Sequence, residues 1–266
     1  MHPFFHIFSL AIPAYGVMIV LGCALGILLA IRRCSGKGIT KQNTLHAFLF
    51  GAVGVMVGSK LLFLIINFGK IWEHRSLLTE DTLAFFDFII NGGFVFYGGL
   101  IGAVIMVYVY CRAFKVPFLD AMDLFAPTIA LTHAVGRIGC FLAGCCYGIH
   151  TDGPLGVTFH DSIAAPNDIP LFPVQLLESG LNFILCAVLL LYAKKPGPPG
   201  RVIGFYLLAY AVMRFFLEYL RSDSARGFLL GVSTSQIISI LLLPLGLYFI
   251  MQKRGVRNLP SSGALK

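Results

Sequence analysis

Seven apolar stretches, each close to 20 residues long, dominate this chain: Ile12 to Ile31, Leu45 to Ile66, Phe94 to Cys111, Leu124 to Leu142, Val174 to Ala193, Gly204 to Leu220 and Gln236 to Met251. As helices, segments of that length cross a hydrocarbon core of roughly 30 Å. Hydrophobic residues make up 58% of the chain and charged residues 12%, about half the charged share of an ordinary globular domain. A soluble fold cannot hide that much apolar surface. The expected architecture is an all-α integral membrane protein with about seven transmembrane helices.

A net charge of +8 invites a nucleic-acid reading, but the placement of the basic residues points elsewhere. When loops are assigned to alternate sides, thirteen of the twenty Lys and Arg fall on one side, from Arg32 and Arg33 through Lys194, Lys195 and Arg201 to the C-terminal cluster. Lys70, Arg75, Arg221 and Arg226 fall on the other, and Lys60, Arg137 and Arg214 lie inside spans. The positive-inside rule then puts the N-terminus outside and the C-terminus in the cytoplasm, with no nucleic-acid partner. The first apolar run reads as a retained span, because no Lys or Arg precedes it and the Arg32-Arg33 pair follows it. On the same ground, the lipoprotein-like Val20-Leu21-Gly22-Cys23 reads as a chance match.

No internal repeat and no long polar stretch interrupts the pattern, so residues 1–266 are expected to form a single polytopic membrane domain with a basic tail from about 252. Leu77 to Ile90 mixes apolar residues with Glu80, Asp81 and Asp87, which suits a short interfacial helix. The stretch from Gly148 to Phe172 contains no Lys or Arg and holds two histidines and three aspartates, as a lid or a solvated loop would.

Ionisable groups at bilayer depth cost at least about 2.5–3.5 kcal/mol each, so they mark function or a structural ion pair. Span six carries Arg214, Glu218 and Arg221 at helical spacing, a charged stripe if the helix continues. Span four ends in His133-Ala134-Val135-Gly136-Arg137-Ile138-Gly139-Cys140, followed by Gly144, Cys145, Cys146 and Gly148. A guanidinium with so little bulk around it can clamp a phosphate, with glycines admitting a headgroup to the backbone; small-residue helix packing explains the glycines equally well, but not the arginine. Gly92-Gly93 and Gly98-Gly99 flank Tyr97 at the head of span three, where closely approached backbone requires surrounding protein or a wet cavity. Gln175, Glu178 and Asn182 form a polar stripe on span five, and Lys60 lies in span two, where it lines a site or snorkels to the interface.

Cys140, Cys145, Cys146, His133 and His150 are metal-ligand types close in sequence, yet their spacing matches no regular zinc pattern, and no metal is expected. In continuous helix, Cys140 and Cys145 would have their Cα atoms roughly 8 Å apart, beyond a disulfide's reach, unless the helix breaks at Gly144.

Taken in order, these segments resemble the bacterial prolipoprotein diacylglyceryl transferases. Ala14-Tyr15-Gly16 resembles that family's Tyr-Gly opening. Gly92 to Gly102 is similar to its Gly-Gly-x-x-x-His-Gly-Gly-Leu-x-Gly segment, and Gly136-Arg137-Ile138-Gly139-Cys140-Phe141 to its Gly-Arg-x-Gly-Asn-Phe signature. Phe172 to Glu178 resembles His-Pro-Ser-Gln-Leu-Tyr-Glu, and Arg214 to Arg221 resembles Arg-x-x-x-Glu-x-x-Arg.

The resemblance implies transfer of the diacylglyceryl group of phosphatidylglycerol to the lipobox cysteine in a prolipoprotein signal peptide. The enzyme would act among membrane lipids in the bacterial plasma (inner) membrane and need no cofactor. It implies catalytic roles for Arg137, Arg214 and Tyr97. Substrate contacts would come from Arg137, Tyr15, Lys60, Gly98, Gly99, Cys140, Gly144, Gly148, Glu178 and Glu218.

Three positions depart from the family pattern: Tyr97 stands for the motif histidine, Cys140 for the signature asparagine, and Cys145 where the family has a glutamate. Two alternatives follow from those departures. One is a divergent paralogue that uses its own cysteines for thiol or acyl chemistry; the other is a lipid-binding or transport protein without chemistry.

Overall fold

The computed structural model describes residues 3–7, 10–73, 81–222, 228–229 and 232–252. Arg75, Arg226, the start of the expected interfacial helix at Leu77 and the tail from residue 253 lie outside those residues.

Seven described helices are long and apolar enough to cross a membrane: α1 (Ala14–Arg33, continued as a 3-10 turn over Cys34–Lys37), α2 (Lys41–Ile66), α5 (Phe96–Ala113), α6 (Phe118–Ala143), α7 (Val174–Ala193), α8 (Arg201–Leu217, continued as a 3-10 turn over Glu218–Leu220) and α9 (Thr234–Met251). Shorter helices α3 (Phe68–Glu73) and α4 (Thr82–Asn91) lie between α2 and α5, where the interfacial helix is expected. Three short antiparallel ladders complete the described elements: β1 (Phe4–Ile7) with β2 (Leu10–Pro13), β3 (Val157–Thr158) with β4 (Pro170–Leu171), and β5 (Phe228–Leu229) with β6 (Val232–Ser233).

The chain divides into two compact units, Arg33–Ala121 and Met1–Arg32 with Met122–Lys266. In the first, α2 and α5 run antiparallel at close range. A Cβ on Gly58 would overlap the carbonyl of Gly98, and one on Gly102 would overlap that of Gly54. Hydrogen in place of a side chain at these four positions lets two backbones touch, which is how helices associate where water supplies no hydrophobic drive. Tyr110 closes the same seam, its hydroxyl donating to Asn43 Oδ1 at 3.0 Å.

In the second unit α6 is the central element. Helix α1 packs on it through Gly22 and Gly26, whose carbonyls accept from Thr132 Oγ1 at 3.0 Å and Thr128 Oγ1 at 3.3 Å. From α7, the Ser179 hydroxyl donates to the Ala134 carbonyl at 2.8 Å. Asp123, fully buried on α6, accepts from the backbone N–H groups of Gly200 (3.1 Å), Val202 (2.9 Å) and Ile203 (2.9 Å). One carboxylate therefore caps the N-terminus of α8, where free N–H groups and the helix dipole favour a negative charge. Gly204 on α8 and Gly246 on α9 face each other, each Cβ position lying 2.9 Å from the other's carbonyl oxygen.

The stretch from Gly148 to Phe172 is a largely exposed loop pinned by a few buried side chains. Phe159 is completely buried and forms a small core with Ala165, Leu171, Phe141 and Tyr147.

Candidate active site

Helices α6, α7 and α8 each bring one charged side chain to a common buried region. Glu178, 1% exposed, extends from the first turns of α7. Its Oε2 lies 2.6 Å from Arg137 Nη2 and its Oε1 lies 3.2 Å from His133 Nε2, both on α6. Arg137 and His133 are one helical turn apart, so they share a face and meet the same carboxylate.

Arg214, near the end of α8, pairs with Glu218 at 2.9 Å and donates from Nη2 to Ser235 Oγ on α9 at 3.0 Å. Arg214 also lies within electrostatic reach of Glu178. Two cations and two carboxylates are thereby gathered in one unit, with Arg137, Arg214 and Glu218 all less than a tenth exposed. Each arginine keeps a buried donor without a hydrogen-bond partner among the described residues, Nε of Arg137 and Nη1 of Arg214. An unmatched donor buried in protein costs about 1–3 kcal/mol, and an anion with several oxygens removes that cost at both arginines.

The polar stripe on α7 is buried along its length. Gln175 Nε2 donates to the Cys145 carbonyl at 2.8 Å, and Asn182 Nδ2 to the Glu178 carbonyl at 2.8 Å. The expected stripe on α8 holds only for Arg214 and Glu218. The helix tightens to 3-10 geometry at Glu218, and Arg221 leaves it as extended backbone, bridged to Gly148.

The end of α6 departs furthest from continuous helix. Gly144 adopts a left-handed conformation (φ 66°), and Cys145 N–H turns back to the Cys140 carbonyl at 3.0 Å. Glycine enters that region without the penalty a Cβ brings. Cys146 is left-handed as well (φ 54°). The sulfurs of Cys140, Cys145 and Cys146 consequently lie within 4.8 Å of one another, and Arg137 Nη1 donates to Cys140 Sγ at 3.8 Å. All seven cysteines are free thiols. Hydrogen bonds from Cys140 and Cys145 pull the Cys146 thiol well below the ordinary thiol range, and Arg137 and Arg221 add to the effect. Cys145 is pushed upward by its hydrogen bonds to Cys140 and Cys146, which hold its proton.

The other expected site residues divide between the two units. Tyr15, at the start of α1 and 45% exposed, stands within electrostatic reach of the three cysteines and Arg137. Gly144 and Gly148 are filled over by protein: a Cβ on the first would come 2.5 Å from Ser162 Cβ, and one on the second would overlap the Phe172 carbonyl. Lys60, Tyr97, Gly98 and Gly99 belong to the α2–α5 unit. Lys60 Nζ donates to the carbonyls of Ile90 (3.0 Å) and Gly93 (3.3 Å) and lies 4.9 Å from the centre of the Phe94 ring. Gly98 and Gly99 lie in the α2–α5 seam. His133 and Ser235 emerge as site residues that the sequence left without a role. His133 had the signal of one-turn spacing from Arg137, whereas the approach of Ser235 to Arg214 has no local signature.

An apolar groove of about 640 Å³ runs between α7 and α8, lined among others by Leu177, Leu181, Phe205, Leu208, Val212 and Phe216.

Residues 3–252 match the family model described as prolipoprotein diacylglyceryl transferase. The chain is 38% identical over 244 residues to a Clostridium tetani protein named phosphatidylglycerol--prolipoprotein diacylglyceryl transferase, covering 92% of this chain and 94% of that protein. It is 36% identical over 251 residues to the Clostridium perfringens protein named phosphatidylglycerol--prolipoprotein diacylglyceryl transferase 2, covering 94% of each. A Clostridium botulinum protein with the same name as the first is 33% identical over 253 residues, covering 92% of this chain and 94% of its own length. With seven apolar helices, a buried double-arginine cluster and a family match over nearly its whole length, the chain belongs to the prolipoprotein diacylglyceryl transferase family.

Proposed function

We propose that this protein transfers the diacylglyceryl group of phosphatidylglycerol to the thiol of a lipobox cysteine in a prolipoprotein signal peptide. The observation that carries this reading is the pair of buried arginines, each tied to a glutamate and each with a donor lacking a hydrogen-bond partner among the described residues. A phosphodiester supplies the oxygens that such donors need.

The reaction is a displacement at carbon. The substrate sulfur forms a bond to the glyceryl carbon that carries the phosphate ester, the carbon–oxygen bond breaks, and glycerol phosphate leaves with the electron pair. Arg137 and Arg214 hold the phosphate and offset the charge that grows on it, an effect strengthened in a buried site of low dielectric. Glu178 and Glu218 orient the two guanidiniums, and Ser235 fixes the second. The groove between α7 and α8 suits an acyl chain, since its lining is almost wholly apolar. Tyr15 and Cys140 are proposed as contacts beside the arginines. Tyr97, Lys60, Gly98, Gly99, Gly144 and Gly148 are carried as substrate contacts on the motif resemblance, with Tyr97 in the position of the motif histidine. The one-sided basic residues support an N-terminus outside and a C-terminus in the cytoplasm, and with the family they support a bacterial plasma membrane location.

The test is reconstitution in vesicles of phosphatidylglycerol with a lipobox peptide. Thioether-linked product and released glycerol phosphate are expected from the wild type, and neither from Arg137→Gln. Undiminished turnover by Arg137→Gln would remove the phosphate-clamp role.

A further inference from the structure

We propose that Cys140, Cys145 and Cys146 form a three-thiolate site for a thiophilic divalent cation, zinc by ligand type, whose fourth coordination position takes the thiol of the peptide substrate. The second half of this proposal rests on the transferase reading above; the first half does not.

The geometry carries it. Three sulfurs around a tetrahedral zinc at about 2.3 Å stand roughly 3.8 Å from one another. Those of Cys140, Cys145 and Cys146 already lie within 4.8 Å, so closure requires a contraction of about 1 Å at most. Local chain geometry produces this convergence. Cys140 sits on the last turn of α6, the left-handed Gly144 stops the helix, and the left-handed Cys146 turns its side chain back toward that last turn.

The loop is also held in place from outside, as a preorganised ligand set needs. Ile163 N–H donates to the Ala143 carbonyl at 3.0 Å, Ala165 N–H to the Gly144 carbonyl at 2.8 Å, and Gln175 to the Cys145 carbonyl at 2.8 Å. Ligand count and exposure match a site that binds substrate. Three protein ligands leave a tetrahedral ion one open position, and while Cys140 is buried, Cys145 and Cys146 are only partly buried. His150, the nearest imidazole in sequence, lies against Asp152, and His133 is engaged with Glu178; neither belongs to the sulfur cluster. Charge fits as well: three thiolates and a divalent cation sum to a single negative charge, and the Arg137 guanidinium stands 3.8 Å from Cys140 Sγ.

The chemistry suits the position. Thioether formation requires the substrate sulfur as thiolate, and coordination to zinc deprotonates a thiol outright, the proton passing to water. That sulfur would be presented one helical turn from Arg137, which holds the phosphate about to leave. The sulfur–carbon bond then forms as the carbon–oxygen bond breaks, and no redox partner is required. The site also supplies a means of activating the thiol in a chain with Tyr97 where the family motif has histidine.

The experiment uses the full chain, purified in detergent under reducing conditions, with cobalt(II) as the probe. One equivalent is expected to give thiolate-to-cobalt charge-transfer absorption, reduced by about one third in each single Cys→Ser variant and absent in the triple variant. Cys146→His, which keeps a ligand, retains one cobalt with a weaker thiolate band, and Cys23→Ser leaves the spectrum unchanged. A lipobox peptide is expected to shift the d–d bands, while the same peptide with serine for cysteine does not. Absence of the charge-transfer band in the wild type, or its persistence in the triple variant, overturns the cation site. A spectrum indifferent to the cysteine peptide overturns the substrate-thiol position. Transfer at the wild-type rate by the triple serine variant overturns the proposal and leaves the transferase standing. Cobalt binding with no transfer in any metal state overturns the transferase reading and leaves the cation site standing.

Discussion

Arg137 and Glu178 meet at 2.6 Å between α6 and α7, with 11% and 1% of their side chains open to solvent. A buried pair of this kind is expensive to break from one side, because the remaining charge stays buried with its principal partner gone; typical losses are about 3–5 kcal/mol. Glu178→Gln and Arg137→Gln should each lower the unfolding free energy in detergent by an amount in that range, and the double variant should lose clearly less than the two losses added. A double-mutant cycle on thermal or denaturant midpoints reads the coupling directly.

Arg214 divides its guanidinium between Glu218 and Ser235. A lysine supplies the charge but not the planar fork. Arg214→Lys should reduce transfer about 10²- to 10³-fold, the usual cost of removing a donor aimed at developing charge. Ser235→Ala should cost only about 1 kcal/mol, roughly a fivefold loss. Initial rates across a series of phosphatidylglycerol mole fractions separate the two effects.

Asp123 is a structural carboxylate that accepts from three backbone donors at the head of α8. Asp123→Ala should destabilise the protein by about 2–3 kcal/mol through loss of the α8 cap. At a temperature where the variant remains folded, its transfer rate should stay near that of the wild type. Midpoints and rates measured on one preparation test both statements.

The α2–α5 seam tolerates no added carbon. Gly58→Ala and Gly102→Ala should loosen the hairpin and raise its sensitivity to proteolysis, since each Cβ collides with backbone. Gly180→Ala, where nothing lies within 4 Å, should be neutral or slightly stabilising through better helix propensity, worth up to about 1 kcal/mol. Limited proteolysis of the three variants side by side distinguishes collision from a general effect of replacing glycine.

The spans were legible because hydrophobic length is a one-dimensional property, and Val174 to Ala193 matched to the residue. Helix α6 begins at Phe118, six residues before the expected Leu124, because Asp120 and Asp123 break the apolar run in sequence while being buried and partnered in space. The pairing of Arg214 with Glu218 follows from i, i+4 spacing, and the joint hold of His133 and Arg137 on Glu178 follows partly from the spacing on α6. The cysteine cluster could not be read the same way. Its convergence depends on two left-handed residues, and only one of them, Gly144, is of a type that announces the possibility.

Helix α1 has a consequence for assembly. Its hydrogen-bonded partners on α6, Thr128 and Thr132, lie 102 and 110 residues further along the chain. The α2–α5 hairpin, by contrast, closes through contacts that end at Tyr110. During synthesis the hairpin can pair as soon as both its helices have entered the bilayer, while α1, made before them, waits in lipid until the fourth of the described spans arrives. An earlier span thus finds its neighbour only after a later hairpin has closed, and truncations ending before Thr128 should leave α1 inserted yet unpacked.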